Sequence, residues 1–247
     1  MWRLGGMSNA PLESSEADLV IAERFCGPPH SGNGGYVAGM LAKRMNKECQ
    51  VTLHAPPPLN VPLRTVAAGD GLQLRDGDRL LATARPHQLE MIIPAAPTED
   101  QARLAQARFE GIVRHDLPGC FVCGTNRLPG DGLQIYSGPT AEPGTVAAVW
   151  VPDETLGRTD GMVDIQYLWA ALDCPGFFAV RPVSGLALLG RFAAKLLEPV
   201  RSGESLIVRG WAIRHDGRKH QAGTALYRTN GTPVACAEAT WISIYTG

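Results

Sequence analysis

No apolar run in this chain approaches the roughly 18 residues that cross a bilayer as a helix, so no transmembrane helix is expected. An excess of charge is missing as well: 23 Lys and Arg stand against 24 Asp and Glu, a net charge of −1. A nucleic-acid or polybasic membrane role needs a basic surface, and this balance argues against both. The opening stretch MWRLGGMSNAPLESSEAD lacks the charged-then-apolar layout of a signal peptide, and Met7 offers a second start. A cytoplasmic setting is the expectation. Six scattered cysteines, at 26, 49, 120, 123, 174 and 236, do not read as a disulfide framework and suit a reducing compartment. Cys120 and Cys123 in GCFVCG have the spacing of half a zinc site, yet no second CxxC follows and His115 is the one candidate close upstream. A tight turn carrying two small thiols is expected there, with no metal and no other cofactor.

What is present is an ordinary globular composition, 45% hydrophobic and 19% charged, arranged as a degenerate duplication. In the first half, HSGNGGYVAGMLAKRM runs from a small-residue turn into a helical pattern from about Gly34 to Met45. β-like runs follow, two of them flanking the hairpin signal Arg75-Asp76-Gly77-Asp78. In the second half, a largely apolar helix is expected from about Gly161 to Asp173, with Asp160 as its N-cap and Asp164 in its first turn. Strands follow again, with turns at Asp216-Gly217 and Asn230-Gly231. Between the halves, Thr98 with Glu99 and Asp100 marks the start of a connecting helix of about three turns. The expected boundaries are 18–93, 94–116 and 117–247, with the halves docked rigidly.

One residue fits this scheme poorly. In YLWAALDCPG, Asp173 closes a run built for a protein interior. A carboxylate at the C-terminal end of a helix gains nothing from the macrodipole, and burying it unpaired is costly. Pro175 is expected to end or kink the helix just past it.

The segment CFVCGTNRLPGDGLQI (120–135) resembles the entry of hotdog thioesterases, a CFxCG turn followed by a β-run. WAALDCPGFFA resembles the acid-bearing central helix of the phenylacetyl-CoA thioesterase-like branch, and NGGYVAGMLA a glycine-started central helix. The resemblance covers most of residues 25–245 and implies an α+β double hotdog, two curved antiparallel sheets each wrapping a central helix. It further implies a thioesterase acting on an acyl-CoA or acyl-carrier thioester, as a possible homo-oligomer.

In that family a glycine-started helix of one unit faces the acid of the other. Carried over, Asp173 is the base or nucleophile, and Asn33, Gly34 and Gly35 form the oxyanion site. His30, Gln166, Ser184 and Arg191 are candidates for substrate contact, Ser184 as a strand residue and Arg191 among basic groups suited to CoA phosphates. The first-half helix holds no carboxylate before Glu48, so one active site per chain is expected. Two other readings stand beside this one. A hotdog hydratase or dehydratase needs a catalytic histidine, and none follows Asp173 within its helix or exit turn. A non-catalytic acyl-thioester binder or structural hotdog fits the Gly161-Met162 start, which lacks the family's usual His-Gly-Gly, and the absence of an acid from the first helix. As a separate reading of the one residue, Asp173 is a structural acid tied to backbone N–H groups of the following turn.

Overall fold

The computed structural model describes residues 18–244. Residues 1–17, Met7 among them, therefore lie outside the described residues. Chain order begins with β1 (Asp18–Val20), α1 (Gly34–Met45), β2 (Cys49–Leu53), β3 (Pro62–Ala68), β4 (Gly71–Asp76) and β5 (Arg79–Pro86). The connecting α2 (Glu99–Gln106) comes next, then β6 (Gly138–Pro139), β7 (Thr145–Trp150), α3 (Ile165–Ala171) and α4 (Cys174–Ser184). The chain closes with β8 (Ala187–Leu196), β9 (Leu206–Asp216), β10 (Lys219–Arg228) and β11 (Pro233–Ser243).

The two antiparallel sheets expected from the sequence join: among the described residues all eleven strands form one continuous sheet in the order β1-β3-β4-β5-β2-β8-β11-β10-β9-β7-β6. The halves meet edge to edge, through Gln50↔Ala193, Val51↔Phe192 and Thr52↔Arg191 of antiparallel β2 and β8. This junction gives each half a partner for an edge that would otherwise stay unpaired. The tight turns fall where Asp-Gly and Asn-Gly stand in the chain: Gly77, Gly217 and Gly231 all have positive φ, the conformation that glycine adopts without strain.

α1 packs on β2, β4 and β5, and α4 on β7, β9, β10 and β11. α3 lies against α1 instead of against a sheet of its own. The second-half helix therefore differs from expectation in two ways. It starts at Ile165, capped by Asp164 and not by Asp160, whose carboxylate accepts the Met162 N–H within the preceding loop. Nor does it end the helical run at Pro175, because that residue sits in the first turn of α4. Proline is tolerated there, since a first-turn N–H has no helical acceptor.

Small residues let α4 sit low on the sheet. A Cβ at Gly210 would lie 2.4 Å from the Pro175 carbonyl oxygen, and Gly176 rests among Ala222, Thr224 and Trp241. Thr224 Oγ1 donates to the Leu172 carbonyl at 2.8 Å and pins the α3–α4 junction.

α2 covers the opposite face of the second half. Thr98 and Gln101 form its capping box, and it runs eight residues, about two turns instead of three. Its Ala102 and Ala105 join Val149, Ile207 and Tyr227 in a second small core, which explains why every residue of β7 is buried. The GLQI segment, expected as a β-run, makes no sheet strand; Leu133 and Ile135 donate instead to the carbonyls of Phe121 and Val122. No helix among the described residues is long and apolar enough to cross a membrane.

Candidate active site

The start of α1 meets the end of α3. Asn33 is the N-cap of α1, and its Oδ1 accepts the Tyr36 N–H at 2.9 Å. That bond fixes the amide and turns Nδ2 toward Asp173, to whose Oδ2 it donates at 2.9 Å. The Gly35 N–H donates to the same oxygen at 3.0 Å. The Asn33 N–H is spent on the Phe25 carbonyl. Among the described residues this leaves the Gly34 N–H as the first-turn donor without a partner.

Glycines make the approach possible. A Cβ on Gly35 would stand 2.6 Å from Asp173 Cβ, and one on Gly39 would stand 2.6 Å from Gln166 Cα. Four residues apart, Gly35 and Gly39 lie on one face of α1 and let α3 cross in near backbone contact.

Asp173 occupies the N-cap position of α4 but makes no side-chain cap bond. The structural-acid reading required such bonds to the following turn; the carboxylate turns instead to the start of a different helix. It is only 2% exposed, and its Oδ1 has no hydrogen-bond partner. Burial pushes its pKa up to about 7, against the opposing pull of the Gly35 N–H, with Cys120 adding to the rise and Asn33 reducing it. The group can thus exchange a proton near neutral pH while holding one oxygen free.

Asp173, Asn33 and Gly34 line a cavity of about 350 Å³. Its wall is largely apolar, with Leu53, Phe177, Phe178, Leu189 and Trp241 among its residues. That is a small ligand site with few polar groups.

Because α1 and α3 run antiparallel, the start of α3 faces the end of α1. There Lys43 Nζ lies 2.5 Å from Asp164 Oδ2, the N-cap acid of α3. Burial works to raise the Asp164 pKa, but Lys43, the Ile165 N–H and Gln166 outweigh it and hold the group below the usual carboxylate range. An ion pair fills the position that mirrors Asn33 and Asp173.

No family model matches the chain, and no curated protein matches it in sequence. Solved structures do. The TesB protein of Mycobacterium avium subsp. paratuberculosis superposes with a TM-score of 0.60 over 89% of this chain and 90% of its own, at 14% identity. A protein of Novosphingobium aromaticivorans provisionally described as a thioesterase does so with a TM-score of 0.60 over 92% and 95%, at 12% identity. The chain has the hotdog fold of these structures.

Within this hotdog, the remaining candidate residues lie apart from the cavity wall. His30 is exposed, in a loop with φ of 61°. Gln166 is on α3, where its Nε2 donates to Asp164 and its backbone packs under Gly39. Ser184 is not on a strand: it is the last residue of α4, and its hydroxyl donates to the Gly185 carbonyl. Arg191 is exposed on β8, opposite Thr52 and Thr240.

Sequence reading missed three contributors to the cavity, Phe177, Phe178 and Cys174. Phe177 and Phe178 belong to α4, so they went unseen with it; the adjacent pair of aromatics was the available signal. Cys174 lies beside Cys120, Sγ to Sγ 3.7 Å, although 54 residues separate them. Gly124 closes the CFVCG turn because a Cβ there would stand 2.4 Å from the Cys120 carbonyl oxygen.

Proposed function

We propose that this protein is a thioesterase, built as two hotdog units over residues 18–93 and 117–247 and joined by the 94–116 connection, with a single active site per chain. The carrying observation is Asp173: a buried carboxylate near neutral pKa with one unpartnered oxygen, on the wall of a cavity that Gly34, with its unpaired N–H, also lines.

In this reading a thioester carbonyl oxygen accepts from the Gly34 N–H, at the positive end of the α1 dipole. Ionised Asp173 takes a proton from water, whose oxygen bonds to the carbonyl carbon. Collapse of the tetrahedral intermediate breaks the carbon–sulfur bond. The proton passes to the departing thiolate, so the products are a carboxylic acid and a thiol. Asn33 and the Gly35 N–H hold the other carboxylate oxygen and so aim the free one. A pKa of about 7 suits a general base working near neutrality; direct attack by the same oxygen uses the same geometry.

The similarity to thioesterase structures supports this reaction class, and acyl-CoA or an acyl carrier is the proposed thioester. A hydratase needs a histidine beside the acid, and among the described residues Asp173 has no histidine partner. The test is thiol release from a panel of acyl-CoA esters by wild type and Asp173→Asn. Thiol release abolished in the variant supports hydrolysis, whereas equal release by both, or hydration of an enoyl-CoA by wild type, overturns the proposal.

A further inference from the structure

Cys120, Cys123 and Cys174 come from two distant segments, the CFVCG turn and the first turn of α4, yet their three sulfur atoms all lie within 4.8 Å of one another. All three are buried, none is in a disulfide, and all three line the cavity. The Cys120–Cys174 separation of 3.7 Å matches the sulfur–sulfur edge of about 3.8 Å that a tetrahedral ion requires with zinc–sulfur bonds of about 2.3 Å.

We propose that these three cysteines form a zinc-binding site, with the fourth position open to the cavity.

Three independent features fit this assignment. First, the ligand set is soft and compact, which selects zinc over magnesium or calcium. Second, His115, which lines the same cavity, is already committed: Nδ1 accepts the Leu117 N–H, and Nε2 is 2.9 Å from the Cys123 carbonyl. The fourth position is then left to the cavity side, where water is the simplest ligand. Third, the turn that carries Cys120 and Cys123 is held rigidly, because the Phe121 N–H donates to the Cys26 carbonyl and the Gly124 N–H to the Cys120 carbonyl. A rigid CxxC turn presents two sulfurs at fixed spacing, and docking of α4 supplies the third.

Binding converts three thiols to thiolates and releases three protons per ion, so no oxidant or reductant enters. With three thiolates, Zn²⁺ leaves a net charge of −1, smaller than the charge of three buried thiolates alone. Asn33 Nδ2 is 4.0 Å from Cys120 Sγ and 2.9 Å from Asp173 Oδ2, so a bound ion would border the carboxylate.

The site can be tested without any enzymatic readout. Reduced, metal-free full-length protein is titrated anaerobically with Co²⁺ and then with Zn²⁺. One cobalt per chain is expected, with intense thiolate-to-cobalt charge-transfer absorption that one equivalent of zinc displaces. Denaturing and native thiol counts should differ, with zinc protecting Cys120, Cys123 and Cys174 from a thiol reagent. Cys174→Ser and Cys120→Ser are each expected to weaken zinc binding by at least about 100-fold, since even outer-shell partners are worth 10–100-fold. Cys236→Ser, remote from the cluster, should bind as wild type does. Metal-free thermal melts of every variant separate a lost ligand from a lost fold, and Cys174→Ala supplies a second variant should serine prevent folding. Absence of the charge-transfer bands, retention of wild-type affinity in a folded Cys174 variant, or equal loss in Cys236→Ser would each overturn the assignment.

Discussion

Replacing Gly35 with alanine adds one methyl group at the tightest point of the proposed site. The new Cβ would stand 2.6 Å from Asp173 Cβ and 2.9 Å from the Trp169 carbonyl oxygen, neither of which is the free end of a flexible side chain. Ordinary contact begins at 3.4 Å, so α1 and α3 must separate locally by about 0.8 Å. The Gly35–Asp173 hydrogen bond, now 3.0 Å, would stretch to about 3.8 Å and be lost. Overpacking costs about 1–3 kcal/mol, partly offset by the roughly 1 kcal/mol that alanine gains over glycine within a helix. A net loss of about 0–2 kcal/mol is expected in urea unfolding. Activity should fall further than stability, because a shift of this size at a reacting group costs on the order of 100-fold. Gly34→Ala is the control. Its Cβ would meet Leu189 Cδ2 at 2.9 Å and Leu53 Cδ1 at 3.0 Å, side-chain ends that can rotate, and Leu189 Cβ at 3.2 Å, a contact relieved by a shift of about 0.2 Å. Its stability should stay within about 0.5 kcal/mol of wild type. Wild-type stability and kcat in Gly35→Ala, or equal destabilisation by the two variants, would refute the close-approach reasoning.

In zinc-free protein, kcat/KM should rise with pH through about 7, as Asp173 ionises, and then level off; a flat profile between pH 5 and 9 would count against a base at this position. The same group sets a stability slope. Its folded pKa lies above the ordinary 3.8, so the fold holds the proton more tightly than the unfolded chain does. Wild-type stability should therefore fall between about pH 4 and 7, by on the order of 4 kcal/mol, and flatten above. Asp173→Asn should remove that slope while lowering kcat by about 100-fold or more, and parallel pH–stability curves for the two proteins would refute the assignment. Thr224→Val leaves the buried Leu172 carbonyl without its side-chain donor; a loss of about 1–3 kcal/mol in urea unfolding is expected, with reduced kcat through a loosened α3–α4 junction. Lys43→Met removes the half-exposed partner of the largely buried Asp164 and should cost about 1–2 kcal/mol, with kcat within about twofold of wild type.

The parts of the fold legible from sequence were those governed by short-range chemistry. NGGYVAGMLAKRM marks α1 from Gly34 to Met45, because a capping asparagine and a run of small and apolar residues need no tertiary information. The turns at Gly77, Gly217 and Gly231 were equally local. Elements decided by packing were harder to read. Pro175 looks like a terminator in sequence, and only the docking of Gly176 against Ala222 and Thr224 shows that a second helix begins there. Asp160 and Asp164 are both plausible caps, and the pairing of Asp164 with Lys43, 121 residues away, distinguishes them. Asn33 and Asp173 were paired through family resemblance, and the structure brings them together. The physical signal for that contact, Gly35 and Gly39 on one helix face, was present but unread. The thiol cluster was legible only as the CxxC pair, since the third member arrives through α4.

The antiparallel crossing of α1 and α3 creates two similar places, and electrostatics make them unequal. At one, a carboxylate meets the N-terminal end of α1, where the dipole is positive and an anion is favoured. The neutral Asn33 there adds a donor without adding a charge, so the acid stays ionisable and one oxygen stays free. At the other, Lys43 meets the N-terminal end of α3, where the dipole opposes a cation, and Asp164 is required to neutralise it. That carboxylate is committed to Lys43, the Ile165 N–H and Gln166 and is held below the ordinary range, so it has little basicity to offer. Building a second site would therefore take more than an acid at position 43. Lys43→Asp alone sets two carboxylates against each other, whereas Lys43→Asp with Asp164→Asn reproduces the charge arrangement around Asp173. The double variant should accordingly be more stable than the single Lys43→Asp variant in urea unfolding, and the reverse order would refute this account of the asymmetry.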